Sequence, residues 1–322
     1  MRVVFIGGTG HTGTYLVPRL IEAGCEVTVI SRNNRPRYEP CDFIGRAAWG
    51  RVQWVEMDRA KMETTGEFGT CVAALKPDVV FDMICFQVES AKQLVDALRG
   101  RVQLLAHCGT IWASGPSLQA PSTESQPRRP ICDYGRRKAE IEEYLLDEAR
   151  RAGFPVTVLR PGHIVGQGWA PVNPAANFNP QVYSDLARGK GLSLPHLGLE
   201  TLHHVHADDV AQAFMLTLAN WSGAVGEAFN VTSDSALTLR GYAEAVAGWF
   251  GTPAQLSFLP WDEWKNTVSE EDAATTWDHI SHASNCSIEK GRRILGYQPR
   301  YTSLQAIKES VSWLIQNGKV RV

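Results

Sequence analysis

The chain opens on an apolar run without polar alternation, Val3-Val4-Phe5-Ile6, a pattern that suits a strand buried on both faces. Gly7, Gly10 and Gly13 follow at a three-residue spacing, and then Leu16, Val17, Leu20 and Ile21 recur at helical spacing up to Gly24. The same alternation of short apolar run and helical period continues along the chain. Strands are predicted at 26–30, 52–56, 77–84, 103–108 and 155–160, with helices at 89–98 and 133–152. Alternating strands and helices imply a parallel sheet with helices on both faces, whose ligands sit beyond the carboxyl ends of the strands. Gly7, Asp58, Ile84 and Cys108 all fall at such ends.

Residues 115–130, rich in Pro, Ser and Gln, read as a loop, and residues 169–178, rich in Pro and Asn, as the exit from the sheet. Residues 203–211 read as another strand-to-helix turn, with Asp208 or Asp209 as the N-cap. A last strand is predicted at 226–231, and helices at 238–250, 288–295 and 303–315. The expected fold is α/β, a Rossmann-type doubly wound parallel sheet with a smaller C-terminal substrate-binding domain. Residues 1–168 plus 204–234 would form the dinucleotide-binding domain, and residues 169–203 plus 235–322 the substrate-binding domain.

A glycine turn between a buried strand and a helix is suited to a pyrophosphate held on backbone N–H groups. Gly7 would take the tight turn, Gly10 would admit the phosphates, and Gly13 would let helix and strand pack closely. Thr9, His11 and Thr12 belong to the same turn. Pro18 interrupts the helical pattern and removes one backbone hydrogen bond. The second strand ends without an acid and is followed by Arg32 and Arg35, which favours NADP over NAD. Asp58 would either reach the adenine end of the cofactor or cap the next segment.

The formal net charge of −2 gives no electrostatic case for nucleic acid or an anionic membrane. No apolar run is long enough to cross a bilayer, and a first strand at residue 3 leaves no room for a signal peptide. The seven cysteines form no CxxC pair, which points to reduced thiols and a cytoplasmic protein. Tyr134 and Lys138 stand four apart in a helical stretch, so they share one face.

Five motifs then fall in one order: Gly7-Gly-Thr-Gly-His-Thr-Gly13, Tyr134-x-x-x-Lys138, Arg160-Pro-Gly162, His206-Ala-Asp-Asp-Val-Ala211 and Leu295-Gly-Tyr-Gln-Pro299. Together they resemble the extended short-chain dehydrogenase/reductases, the NAD-dependent epimerase/dehydratase family, over nearly the whole chain. The resemblance implies that Tyr134 is the general acid/base, and that Lys138 binds the nicotinamide ribose and lowers the tyrosine pKa. It places the nicotinamide between this pair and the Pro161–Ile164 segment, and it implies a homodimer. Where the family carries a serine, this chain has Cys108, with Thr110 two residues on; either, or neither, would take the serine's place. The arginines that hold nucleotide-sugar diphosphates in the family are replaced by Leu202 and Ile280, which points to a small or aromatic, non-nucleotide substrate. Trp169, Trp261, Trp264 and Trp277 are candidate pocket residues. His203, His204, His206, His279 and His282 cluster in sequence without metal-ligand spacing, and His163 reads as structural or as a cofactor or substrate contact.

The reading is an NAD(P)-dependent oxidoreductase that moves hydride between nicotinamide and a carbinol or carbonyl carbon. The alternatives are a sugar epimerase/dehydratase with tightly bound NAD and a non-catalytic dinucleotide sensor.

Overall fold

A computed structural model describes residues 1–32 and 46–322. Strands β1 (Arg2–Ile6), β2 (Glu26–Ser31), β3 (Gln53–Glu56), β4 (Val79–Asp82), β5 (Leu104–Cys108) and β6 (Val156–Pro161) occur in the expected order. Three short pairs lie apart from them. β7 (His163–Val165) runs parallel to β10 (His204–His206), β8 (Leu192–Pro195) parallel to β13 (Leu256–Leu259), and β9 (Thr201–Leu202) antiparallel to β12 (Leu237–Thr238). The remaining strand, β11 (Ala228–Val231), joins the first six in a seven-stranded parallel sheet of order β11-β6-β5-β4-β1-β2-β3. The order reverses between β1 and β4, which opens a crevice at the carboxyl ends of those two strands.

The absence of polar alternation in β1 has a packing cause. Val3 and Phe5 point into one core with Leu16, Val29, Phe81 and Phe214, and Val4 and Ile6 point into the opposite core with Val80, Leu105 and Ile141. A third core, around Tyr183, Tyr242, Trp264 and Val311, is built from the residues that follow the crevice. The predicted 238–250, 288–295 and 303–315 helices are observed as Leu239–Trp249, Glu289–Leu295 and Ser303–Gln316. The His11–Glu22 helix runs through Pro18 without ending there.

Two expectations are corrected. The predicted 77–84 strand is confined to Val79–Asp82. The Ala207–Ala219 helix is capped by neither aspartate but by His206, whose Nδ1 accepts the Asp208 N–H at 3.0 Å. Asp209 instead accepts the backbone N–H groups of Arg300 and Tyr301 at 2.8 and 3.2 Å. Asp208 forms ion pairs with Arg19 and Arg300. The pair of aspartates therefore ties the segment at Arg300 and Tyr301 to the Ala207–Ala219 helix.

The helix that carries Tyr134 spans Asp133–Ala152, as predicted, and ends on Gly153 in the left-handed conformation. Glu142 on its inner face is fully buried. It accepts Arg160 Nε of β6 at 2.7 Å and Arg128 Nη1 at 2.8 Å. Arg160 also donates to Ser114 Oγ at 3.2 Å. This carboxylate fixes the helix against β6, so Glu142→Gln leaves two guanidinium groups short of their counter-charge. It is predicted to destabilise the fold by about 3–5 kcal/mol, read as a lower urea midpoint at unchanged slope.

Candidate active site

The crevice begins at the glycine turn. Gly7 has φ +81°, a conformation that disfavours any side chain, and its N–H donates to Ile30 O at 3.0 Å. A Cβ on Gly13 would lie 1.9 Å from the Gly8 carbonyl oxygen, so only glycine lets helix and turn meet. A Cβ on Gly10 would find nothing nearer than 3.8 Å, and that open side borders the cavity. Gly10 begins the helix without any side-chain hydrogen bond, the kind of helix start that suits an anion.

A cavity of about 490 Å³ lies beyond the strand ends. Gly7, Gly10, His11, Thr12 and Gly13 form one side of it, with Ile84 after β4. Cys108 and Thr110 after β5, Tyr134 and Lys138 from the helix, and Pro161 and Ile164 after β6 close it. Three expected cofactor residues do not line it. Thr9 lies in the turn outside the cavity, and Arg32 is exposed just past β2. Asp58 accepts the Lys61 N–H at 3.3 Å and so caps the Arg59–Thr64 helix, the structural alternative. Arg35 lies outside the described residues.

Thr110 and Cys108 both line the cavity with Tyr134, and on the phenol they act in opposite senses, Thr110 lowering its pKa and Cys108 raising it. Thr110 Oγ1 also accepts the Trp112 N–H at 3.3 Å, which holds the hydroxyl in place. Burial pushes the Cys108 thiol up to about 11. Tyr134 is 43% exposed as a residue, yet it lines the cavity. Burial, reinforced by Cys108, pushes its pKa up to about 12 against the opposing effect of Thr110. The resemblance implied the opposite direction. Lys138 explains the difference: its ammonium donates to the Cys108 carbonyl at 2.8 Å and lies 4.9 Å from the centre of the Phe86 ring. It is 2% exposed, burial lowers its pKa, and no carboxylate among the described residues forms an ion pair with it.

Sequence reasoning missed Trp112, Phe178 and Met83 as lining residues. The turn carrying Trp112 immediately follows Thr110, and that proximity was the available signal. Of the four candidate tryptophans, only Trp169 lines the cavity, at 4.3 Å between ring centres from His11. Trp264 is core, with its Nε1 donating to Ser193 O at 2.9 Å, and Trp261 packs against both Trp264 and Trp277. Besides His11, the histidines His163 and His279 line the cavity. His203 and His204 bond the carbonyls of Ser233 and Val172 at 2.9 and 3.1 Å. Among the described residues, the one group with metal-ligand proximity is Asp82, Cys85 and His107. Arg59 already holds the Asp82 carboxylate at 2.7 Å.

The sequence profile described as the NAD dependent epimerase/dehydratase family matches residues 3–232. The chain belongs to this family. It is therefore a dinucleotide-dependent enzyme of the extended short-chain dehydrogenase/reductase type. The chain is 26% identical over 330 residues to 2'-dehydrokanamycin reductase of Streptomyces kanamyceticus, covering 99% of this chain and 86% of that protein. It is 24% identical over 313 residues to a dTDP-6-deoxy-L-talose 4-dehydrogenase (NAD(P)(+)) of Kitasatospora kifunensis, covering 96% and 94%. The structure of a dTDP-glucose 4,6-dehydratase from Bacillus anthracis in complex with NAD shares the fold at TM-score 0.74 and 18% identity, covering 99% and 98%. The turn fits the family's cofactor on its own evidence: a Cβ at Gly7 or Gly13 would clash, and the helix start is uncapped. No helix among the described residues is long and apolar enough to cross a membrane.

Burial holds His11 and His204 at about 3, and His203 and His279 at about 4, well below the ordinary histidine value. The unfolded chain therefore binds more protons between pH 4 and about 6.5, and stability falls as pH drops through that window. Each such histidine contributes a slope of about 1.4 kcal/mol per pH unit. Urea unfolding at a series of pH values is expected to show this loss, with full stability retained above about pH 6.5.

Proposed function

We propose that the protein is an NADPH-preferring oxidoreductase that reduces the carbonyl group of a small, non-nucleotide substrate. The observation that carries this reading is the convergence of Tyr134, Thr110 and Lys138 on one cavity bounded by the glycine turn. The nicotinamide supplies the hydride. This chain's own residues bind, orient and move the proton. Gly7, Gly10, His11, Thr12 and Gly13 receive the pyrophosphate. Lys138 holds the nicotinamide ribose, and Pro161, Ile164 and Ile84 bound the ring and its ribose. Arg32 offers a guanidinium to a 2'-phosphate where NAD enzymes place a carboxylate.

A phenol held at about 12 is protonated at neutral pH, so Tyr134 is poised to give its proton to the carbonyl oxygen as hydride arrives at the carbon. Thr110 shares the substrate oxygen with Tyr134. The same apparatus serves epimerases and dehydratases. Simple reduction is preferred because no carboxylate lines the cavity among the described residues, and a second acid or base is what elimination needs. No arginine lines it either, which disfavours the diphosphate of a nucleotide sugar. Residues 1–168 plus 204–234 would then serve the dinucleotide and the remainder the substrate, with the cavity between them.

The test is titration with NADPH and NADH, followed by a panel of carbonyl compounds. Tyr134→Phe keeps the ring but removes the proton, and is predicted to lower kcat by about 10²–10⁴. Turnover at the parent rate contradicts the assignment. Arg32→Ala is predicted to weaken NADPH by about 1–3 kcal/mol while leaving NADH unchanged. Equal losses for both dinucleotides, or none, assign Arg32 to the solvent instead.

A further inference from the structure

Facing the glycine turn, the cavity wall is built from rings. Trp112 stacks on His282 at 4.2 Å with the planes 9° apart. It meets His279 and His163 near edge-on at 5.2 and 6.0 Å. Phe178 packs against His279 at 5.7 Å. Backbone bonds fix the imidazoles: His279 Nδ1 donates to Thr275 O at 2.7 Å, and His282 Nδ1 donates to Asp278 O at 2.5 Å. Burial holds His279 neutral at ordinary pH, at about 4. Trp112, His163, Phe178 and His279 line the cavity. Lys138 is the one charged group in the described lining, and it lies against Cys108 and Phe86.

We propose, on the oxidoreductase reading above, that the substrate is an uncharged carbonyl compound with a flat apolar face, an aryl or fused-ring ketone or aldehyde, bound against Trp112, His279 and Phe178. A phosphate or carboxylate against this wall would lose its water and gain no guanidinium. An ammonium would gain no carboxylate. Burying an uncompensated charge is costly, so the wall discriminates against both. Rings that meet edge-to-face offer both faces and edges, and a flat arene packs well against such a set. Because stacking and backbone bonds already hold these rings, little side-chain freedom is lost on binding. The only polar demand left is one oxygen, and Tyr134 with Thr110 meets it.

The test is calorimetric titration of the NADPH-saturated protein with acetophenone and acetylnaphthalene. The matched charged probes are para-acetylbenzoate, para-(aminomethyl)acetophenone and thymidine diphosphate. The neutral arenes are expected to bind at least about tenfold more tightly than every charged probe. Phe178 is 48% exposed, so Phe178→Ala removes part of the wall without opening the core. It is expected to weaken the neutral arenes by about tenfold and leave NADPH affinity unchanged, and Trp112→Leu to weaken them further. The substrate class is overturned if a charged probe matches the neutral arenes, if no arene binds saturably, or if Phe178→Ala has no effect. Failure of NADPH to bind, or full turnover by Tyr134→Phe, would instead remove the oxidoreductase reading itself.

Discussion

A buried ammonium with no carboxylate beside it is the constraint around which the site is organised. Lys138 is 2% exposed, and its nearest described partner is a neutral carbonyl, Cys108 O at 2.8 Å. Taking such a charge out of water without a counter-ion costs several kcal/mol in effective terms, so its retention points to use rather than support. Its position follows from the helix. Tyr134, Lys138 and Glu142 stand at i, i+4 and i+8, one above another on the inward face. The last locks the helix to β6 through Arg160, the middle one reaches the end of β5, and the first lines the cavity. One helix thus carries a phenol, a cation and a buried anion on its inward face.

The cavity has two sides of different chemistry. Backbone shapes the first: a left-handed Gly7, an open Gly10, and Gly13 in contact with the Gly8 carbonyl. Side chains shape the second. At the exit from β6, a Cβ on Gly162 would lie 2.3 Å from the His203 carbonyl, so glycine lets β7 lie beside β10 and carry His163 and Ile164 over the cavity. Neutral imidazoles and Trp112 complete it. A polar, backbone-lined side suits a dinucleotide, and an uncharged ring wall suits a substrate without one. The same burial that keeps the histidines neutral keeps the Tyr134 proton in place.

Much of this was legible in the sequence because periodicity reports burial directly. The apolar runs located the strands of the parallel sheet, and Tyr134 with Lys138 fell on one helical face as spacing required. The Glu270–His282 helix was missed. Its cap signal, Ser269 with three acids in the first turn, was present, but its apolar stripe is thin: only Thr276, His279, Ile280 and His282 are buried. His206 displaced two aspartates from the cap because β10 delivers its ring to the helix start, a tertiary effect that no local pattern encodes. The tryptophans were the weakest reading, since composition says nothing about which rings stack on each other and which face a ligand.

The most direct test of the central claim is the stability and NADPH affinity of Lys138→Met, a substitution of similar length that removes the charge and its hydrogen bond to the Cys108 carbonyl. If the ammonium is held for the dinucleotide, the variant unfolds at an equal or higher urea concentration while its NADPH affinity falls at least about tenfold. A variant that loses several kcal/mol of stability yet binds NADPH as tightly as the parent would show Lys138 to be a structural cation, and would contradict the account.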